Sequence, residues 1–405
     1  MWTVAAALWL ALCWQADPIA EGIKALEAQN YREAAELFAR AWQADPNDYG
    51  ALFHLALAHS LLGRDEEAIR EYRRVLELKP GLYEAELNLG LLLLRQKRAA
   101  EAAPYLEAAA DQKPSQARPR LHLGLVWLEA GRPEAAEKAL RAALELDPGS
   151  AAAHLGLARA LARQNRLDEA APHFRKAAEL DAGFQDGLWE LAALYEKQGR
   201  KEEAIALYRR FPENPAAQER LGQLLVEAGR PEEAVAALEQ AAARSPTSAN
   251  RAALALAYAK SGQAEKALEL LRGAVGAEPD NPELRLLYGR LLRDQKRFAE
   301  AAGEFLRYVQ ARPDSLEGWN ELAAMLISLE QYQRALEALD RVRALGGETA
   351  GHHYLRAIVL DKMKEYKGAL AAYRAFLAAS QGKHPEEEFK ARQRLRVIEK
   401  ELSRR

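Results

Sequence analysis

The sequence predicts an all-α chain built from tandem two-helix hairpins, and three observations carry that expectation. Alanine returns at one phase at Ala34, Ala68, Ala102, Ala136, Ala170, Ala204, Ala234, Ala267, Ala301, Ala335 and Ala369. The steps are 34 residues, except 30 between Ala204 and Ala234 and 33 between Ala234 and Ala267. Twelve residues before each of these stands a small residue: Gly22, Ala56, Gly90, Gly124, Ala158, Ala192, Gly222, Ala255, Gly289, Ala323 and Ala357. Four residues after each comes a larger one: Phe38, Tyr72, Leu106, Leu140, Phe174, Tyr208, Leu238, Leu271, Phe305, Leu339 and Tyr373. Small residues at fixed phase mark where paired helices cross closely, and the larger group fills the space beside the crossing. Alanine, leucine, glutamate and arginine dominate the chain, and no stretch alternates apolar and polar residues as a strand would.

The unit is clearest over Tyr49–Leu82. At helical spacing Leu52, Leu55, Ala56 and His59 share one stripe, and Ala68, Tyr72, Val75 and Leu76 share another. Between them, Gly63 suits the left-handed residue that ends a helix, and Asp65 suits the start of the next. Pro80 closes the unit, as Pro46, Pro114, Pro148, Pro246, Pro279 and Pro313 close others. One such hairpin cannot bury both apolar faces alone, so the copies must stack. That overrides the two or three globular domains that 405 residues would otherwise suggest.

The small stretches Leu89-Gly90, Leu123-Gly124-x2-Trp127, Leu191-Ala192-x2-Tyr195 and Trp319-x2-Leu322-Ala323, set in this period, resemble the tetratricopeptide repeat. The resemblance covers roughly residues 17–380 in eleven copies. It implies a right-handed α-solenoid of about eleven helix-turn-helix hairpins, whose first helices line a concave face where extended peptides commonly lie.

Taken in order, the chain opens with an apolar leader, Met1–Trp14, inside an expected processing segment of residues 1–16. It is too short to span a bilayer comfortably and has the length of a signal-peptide core, followed by Gln15-Ala16-Asp17. The alternative is an extra helix capping repeat 1. Cys13, the sole cysteine, follows Leu12 where a lipoprotein box needs a small residue, so the residues argue against lipidation there. Repeats 1–6 occupy residues 17–211 and repeats 7–11 residues 212–380. The two are separated at Phe211-Pro212-Glu213-Asn214-Pro215, where the sixth second helix is cut short. That break reads either as a hinge between a six-repeat half and a five-repeat half or as a tolerated local irregularity. Residues 381–405 supply a final helix, Glu386–Leu402, whose Phe389, Leu395, Ile398 and Leu402 are placed to cover the open end of repeat 11.

No constellation for chemistry emerges. A net charge of −2 gives no argument for nucleic acid or an acidic surface, and charges of both signs alternate along the second helices. The phosphate-loop, dinucleotide, nucleophile-elbow and zinc-protease motifs are missing from the sequence. His54 and His59 point to different sides of a helix, and His122, His154 and His173 read as members of successive hairpins without carboxylates at ligand spacing. Glu66-Glu67 and Glu232-Glu233 open second helices, where carboxylates stabilise the N-terminus. The expectation is therefore a protein that is no enzyme, with no cofactor, no metal, no nucleic acid and no small-molecule substrate.

What remains is surface. By register the inward positions are Phe53, Leu57, Leu87, Leu91, Leu94, Leu121, Leu125, Leu128, Leu155 and Trp189. The helices at 83–95 and 119–130 thus carry a second apolar stripe, consumed either by neighbouring first helices or by a partner. Farther along, the same face turns polar at Arg159, Arg163, Glu219, Gln223, Arg290, Arg293 and Asn320. The sequence therefore predicts a scaffold for protein or peptide segments, exported to the periplasm or secreted, or else cytoplasmic with the leader retained, with membrane contact at most through the leader. The rival reading is an accessory subunit of an envelope polysaccharide-processing or export machine.

Overall fold

A computed structural model describes residues 17–403, so the expected leader over residues 1–16 lies outside the described residues. Among these there are 23 α-helices, one short 3-10 turn and no strand. The chain divides into two compact units at Arg200/Lys201. The first contains α1 (Pro18–Glu27), α2 (Tyr31–Ala44), α3 (Tyr49–Leu61), α4 (Asp65–Leu78), α5 (Tyr83–Arg95), α6 (Ala99–Gln112), α7 (Ala117–Glu129), α8 (Pro133–Leu146), α9 (Ala151–Arg163), α10 (Leu167–Leu180) and α11 (Asp186–Lys197). The second contains α12 (Lys201–Tyr208), α13 (Pro215–Glu227), α14 (Pro231–Arg244), α15 (Ser248–Lys260), α16 (Ala264–Ala277), α17 (Pro282–Asp294), α18 (Phe298–Ala311), α19 (Leu316–Ser328), α20 (Tyr332–Ala344), α21 (Ala350–Lys362), α22 (Tyr366–Ser380) and α23 (Pro385–Ser403). Odd-numbered helices through α21 are the first helices of hairpins, and even-numbered ones the second. Within each unit every helix packs on its chain neighbours, and successive first helices also touch: α5 with α7, α7 with α9, α13 with α15 and α15 with α17.

The repeat chemistry works as the spacing suggests. All eleven marker alanines are fully buried. A Cβ on Gly22 would meet the Phe38 ring at 2.7 Å, one on Gly90 would meet Leu106 Cγ at 2.6 Å, and one on Gly289 would meet Phe305 at 2.7 Å. Gly124 and Gly222 stand still closer to Leu140 and Leu238. The residue four after the marker therefore lies directly against the residue twelve before it, across the hairpin.

The turn is equally regular. Gln29, Gly63, Lys97, Gly131, Asn165, Gly199, Gly229, Gly262, Lys296, Glu330 and Lys364, each five residues before a marker, all hold φ between 56° and 78°. Six of the eleven therefore carry a side chain in a conformation that favours glycine. The next residue is the N-cap, so Asp65 is the first helical residue of α4 and not its cap. Its carboxylate instead accepts from Arg95 and Gln96 of the following hairpin.

The expected shortening of the sixth second helix is present: α12 has 8 residues where other second helices have 13 to 15. The terminal helix corrects one expectation. Ile398 is buried, and Leu395 and Leu402 pack half-buried on α22, but Phe389 is 62% exposed. The reason is its neighbour. Glu388 turns inward to accept from Ser380 Oγ at 2.5 Å and the Gly382 amide at 2.7 Å. The inward stripe then runs through Ala391, Leu395 and Ile398, leaving Phe389 a quarter-turn away. No described helix is long and apolar enough to cross a membrane.

Candidate functional site

Eleven residues before each marker in the first four hairpins stand Ile23, Leu57, Leu91 and Leu125. Ile23 is 38% exposed, and the three leucines are half-buried. Of the other positions named from sequence, Phe53, Leu94, Leu121 and Trp189 are half-buried, whereas Leu87, Leu128 and Leu155 are buried. Those three belong to the packing between helices. The next first helix takes Leu155, which a Cβ on Gly187 would meet at 3.0 Å, and also a share of the rest: a Cβ on Gly156 would lie 3.3 Å from Leu125 Cδ2. Phe53 turns its edge to the Tyr72 ring, with centroids 5.7 Å apart. What stays reachable is an apolar line through Ile23, Leu57, Leu91 and Leu125, flanked by Phe53, Leu94 and Leu121.

The polar positions on the same register are already engaged. Arg159 donates to Glu190 at 2.9 Å, and Arg163 to the Leu128 carbonyl. Arg290 donates to Glu321 at 3.0 Å and to Glu317, while Arg293 donates to Glu321 at 2.6 Å. Burial works against the charge on Arg290 and Arg293, but the bonds to these glutamates outweigh it and hold both above the ordinary range. Arg220 bonds Gln223, Gln223 bonds Glu219, and Asn320 meets His352 Nε2 at 2.9 Å. A partner seeking the Arg159, Arg290 or Arg293 guanidinium would have to displace carboxylates already bound to it.

Two constellations escaped the sequence reading. One is a set of arginines, four residues before the marker, at second-helix N-caps. Arg98, Arg166, Arg230 and Arg297 each return to the glutamate of their own first turn, Glu101, Glu169, Glu233 and Glu300, at 2.6–2.8 Å. Arg98, Arg166 and Arg230 also reach back one hairpin to Glu66, Glu137 and Glu202. The guanidinium partner holds Glu101 down at about 2. The arginine recurrence is visible in the chain; its reach to two hairpins needed the turn geometry. The other is a histidine pair. His154 and His173 belong to one hairpin, not successive ones, and their Nδ1 atoms stand 2.9 Å apart. Burial also pushes His122 down to about 4 and lowers His54. Among the described residues no group of three or more His, Cys, Asp or Glu is placed to hold a metal.

Open depressions lie away from the apolar line. One of about 510 Å³ opens between α6, α7 and α8 around Trp127, and one of about 680 Å³ between α18, α19 and α20 around Trp319. Neither gathers a nucleophile, a base and a group to orient it.

A family model described as tetratricopeptide repeat matches residues 25–87, 93–143, 161–211 and 258–326, more than half of the chain. A second model of the same description matches residues 121–183, 190–249 and 322–384. Among solved structures, MamA from Desulfovibrio magneticus RS-1 is similar at 28% identity, over 40% of this chain and 93% of that one, with a TM-score of 0.39. MamA of AMB-1 is similar at 28% identity, over 42% of this chain and 99% of that one, with the same TM-score of 0.39. No curated protein matches the chain.

Proposed function

This chain belongs to the tetratricopeptide repeat family, and from that premise we propose that it is a non-catalytic scaffold holding an extended apolar segment of a partner protein against the first helices of hairpins 1–4. Such repeats mediate protein–protein interaction; the placement of the contact is our reading. The observation that carries it is the line Ile23, Leu57, Leu91 and Leu125, one reachable apolar side chain per hairpin at one register. Covering a half-buried leucine contributes on the order of 1 kcal/mol. Four in a row therefore give useful affinity only to a segment that spans several hairpins. Phe53, Leu94 and Leu121 flank the line, while Leu87 and Leu128 are buried in the packing between the same helices. The break near Pro212, read as a hinge, would leave this surface whole.

The test is retention of binding partners from the host by wild type beside a Leu57→Glu/Leu91→Glu double variant, with helical content checked by circular dichroism. Leu125 is spared because it packs on Gly156. A partner held by wild type and lost by the folded variant supports the reading; a partner held equally by both overturns it. The leader over residues 1–16 favours one elaboration, export followed by service as an accessory subunit of an envelope machine. N-terminal sequencing of the mature protein from its host tests that: a start at or near Asp17 supports it, and a start at Met1 or Trp2 opposes it.

A further inference from the structure

The histidine pair of the fifth hairpin stands outside this reading. His154 lies on α9, sixteen residues before its marker, and His173 on α10, three after it. That register joins polar heads elsewhere too: Arg285 and Glu304 occupy it in the ninth hairpin and bond at 2.8 Å. In the fifth hairpin the two positions bring imidazole against imidazole, with ring centroids 5.2 Å apart and planes at 27°.

Proton placement follows from the third partner. A carbonyl can only accept, so the 3.1 Å contact between His154 Nε2 and the Pro148 oxygen puts a proton on Nε2. Neutral His154 therefore presents a bare Nδ1 lone pair, and the single proton in the 2.9 Å gap belongs to His173 Nδ1. A histidine fixed through its other ring nitrogen by a backbone carbonyl is the arrangement that orients metal-binding imidazoles. Both rings line an open depression of about 350 Å³ together with Arg141, Leu144, Glu145, Pro148 and Leu157. Arg141, which lines the same depression, is paired with Glu137 at 2.8 Å.

We propose that His154 and His173 form a two-nitrogen site for a divalent cation of the zinc and copper class. Two imidazole nitrogens bound tetrahedrally at about 2.05 Å stand about 3.3 Å apart. The present 2.9 Å separation is thus about 0.4 Å short of that, and both rings turn so that their lone pairs converge on the cation. The cation takes the place of the shared proton, which leaves His173 Nδ1 while His173 takes up a solvent proton at Nε2; the balance of protons and charge on the ligands is unchanged. Solvent from the depression completes the coordination. Bound there, the cation ties the two helices of the fifth hairpin together.

The test titrates Zn²⁺ into the full, untagged chain by calorimetry at pH 7.5, beside His154→Gln, His173→Gln and, as a control for the remaining histidines, His122→Gln. The expected result is one zinc per chain, weakened about tenfold or more in His154→Gln and in His173→Gln and unchanged in His122→Gln. Circular dichroism confirms that each variant keeps its helices. No zinc binding by wild type, or binding that survives in both folded pair variants, overturns the proposal.

Discussion

Hairpins 3 and 4 in the first unit and hairpins 9 and 10 in the second are the same object built twice with different inner faces. Their cores correspond position for position: Gly90 against Leu106 and Gly289 against Phe305, with Ala102 and Ala301 fully buried beside them. Their first helices diverge. Eleven and eight residues before the marker, the third hairpin has Leu91 and Leu94, and the ninth has Arg290 and Arg293. In the ninth these cross to Glu321, fourteen residues before the next marker; in the fourth, Leu125 crosses to Gly156 at the corresponding place. The same contact between hairpins is thus made by ions in one region and by apolar packing in the other. Core positions are interchangeable between repeats, and first-helix positions are where one region is told from another.

If the cores are equivalent, Leu106→Ala and Phe305→Ala should both be severe. Each should lose about 3–5 kcal/mol, through lost burial and the cavity left behind. Chemical denaturation followed by hydrogen exchange in each region checks this, and a mild effect in one region alone would break the comparison.

Acid should separate the regions next. His54, His122 and His173 of the first unit are all lowered, chiefly by burial, against His352 alone in the second. A histidine lowered on folding supports the native state fully above its unfolded value near 6.5, and that support fades as pH falls toward the folded value. For His122, with a folded value of about 4, the loss is on the order of 2 kcal/mol by pH 5. The buried carboxyls Glu71 and Glu86, raised by burial, offset part of it. Hydrogen exchange at pH 7.5 and pH 5 should show residues 17–200 losing protection first, and His122→Gln should shrink the difference.

Salt should act on the other side. Glu321→Gln leaves Arg290 and Arg293 without their shared carboxylate and should cost about 1 kcal/mol at low ionic strength. About half of that should vanish in 1 M NaCl, whereas Leu125→Ala, which removes only packing, should cost the same at both. Thermal melts at the two salt concentrations measure this. The smallest effect should be shared. Lys97→Gly and Lys296→Gly each relieve a side chain held at φ 58° or 60° and should stabilise by about 0.5–1 kcal/mol. Unequal gains would mean that the two turns are not equivalent.

Most of the fold could be read from residues because a hairpin crossing is a local matter: marker alanine, small residue and large residue lie within sixteen positions of one another. Features set by side-chain reach were not legible in the same way. The arginine four before the marker recurs plainly, yet its second bond runs to a glutamate one hairpin back. His154 and His173, nineteen apart, read as belonging to separate hairpins until the register placed them opposite each other. Phe389 reads from sequence as one of four capping residues because nothing in the sequence shows Glu388 turning inward to Ser380. The apolar stripe was legible as a stripe, but its division into buried Leu87, Leu128 and Leu155 and reachable Leu57 and Leu91 depended on how closely successive first helices approach.

The most direct measurement places a photo-crosslinking amino acid at position 91, and separately at its register mate, position 290, in the full chain expressed in its host. The account predicts one specific adduct at position 91, diminished by Leu57→Glu, and none at position 290. An adduct at position 290 with none at position 91 would contradict it.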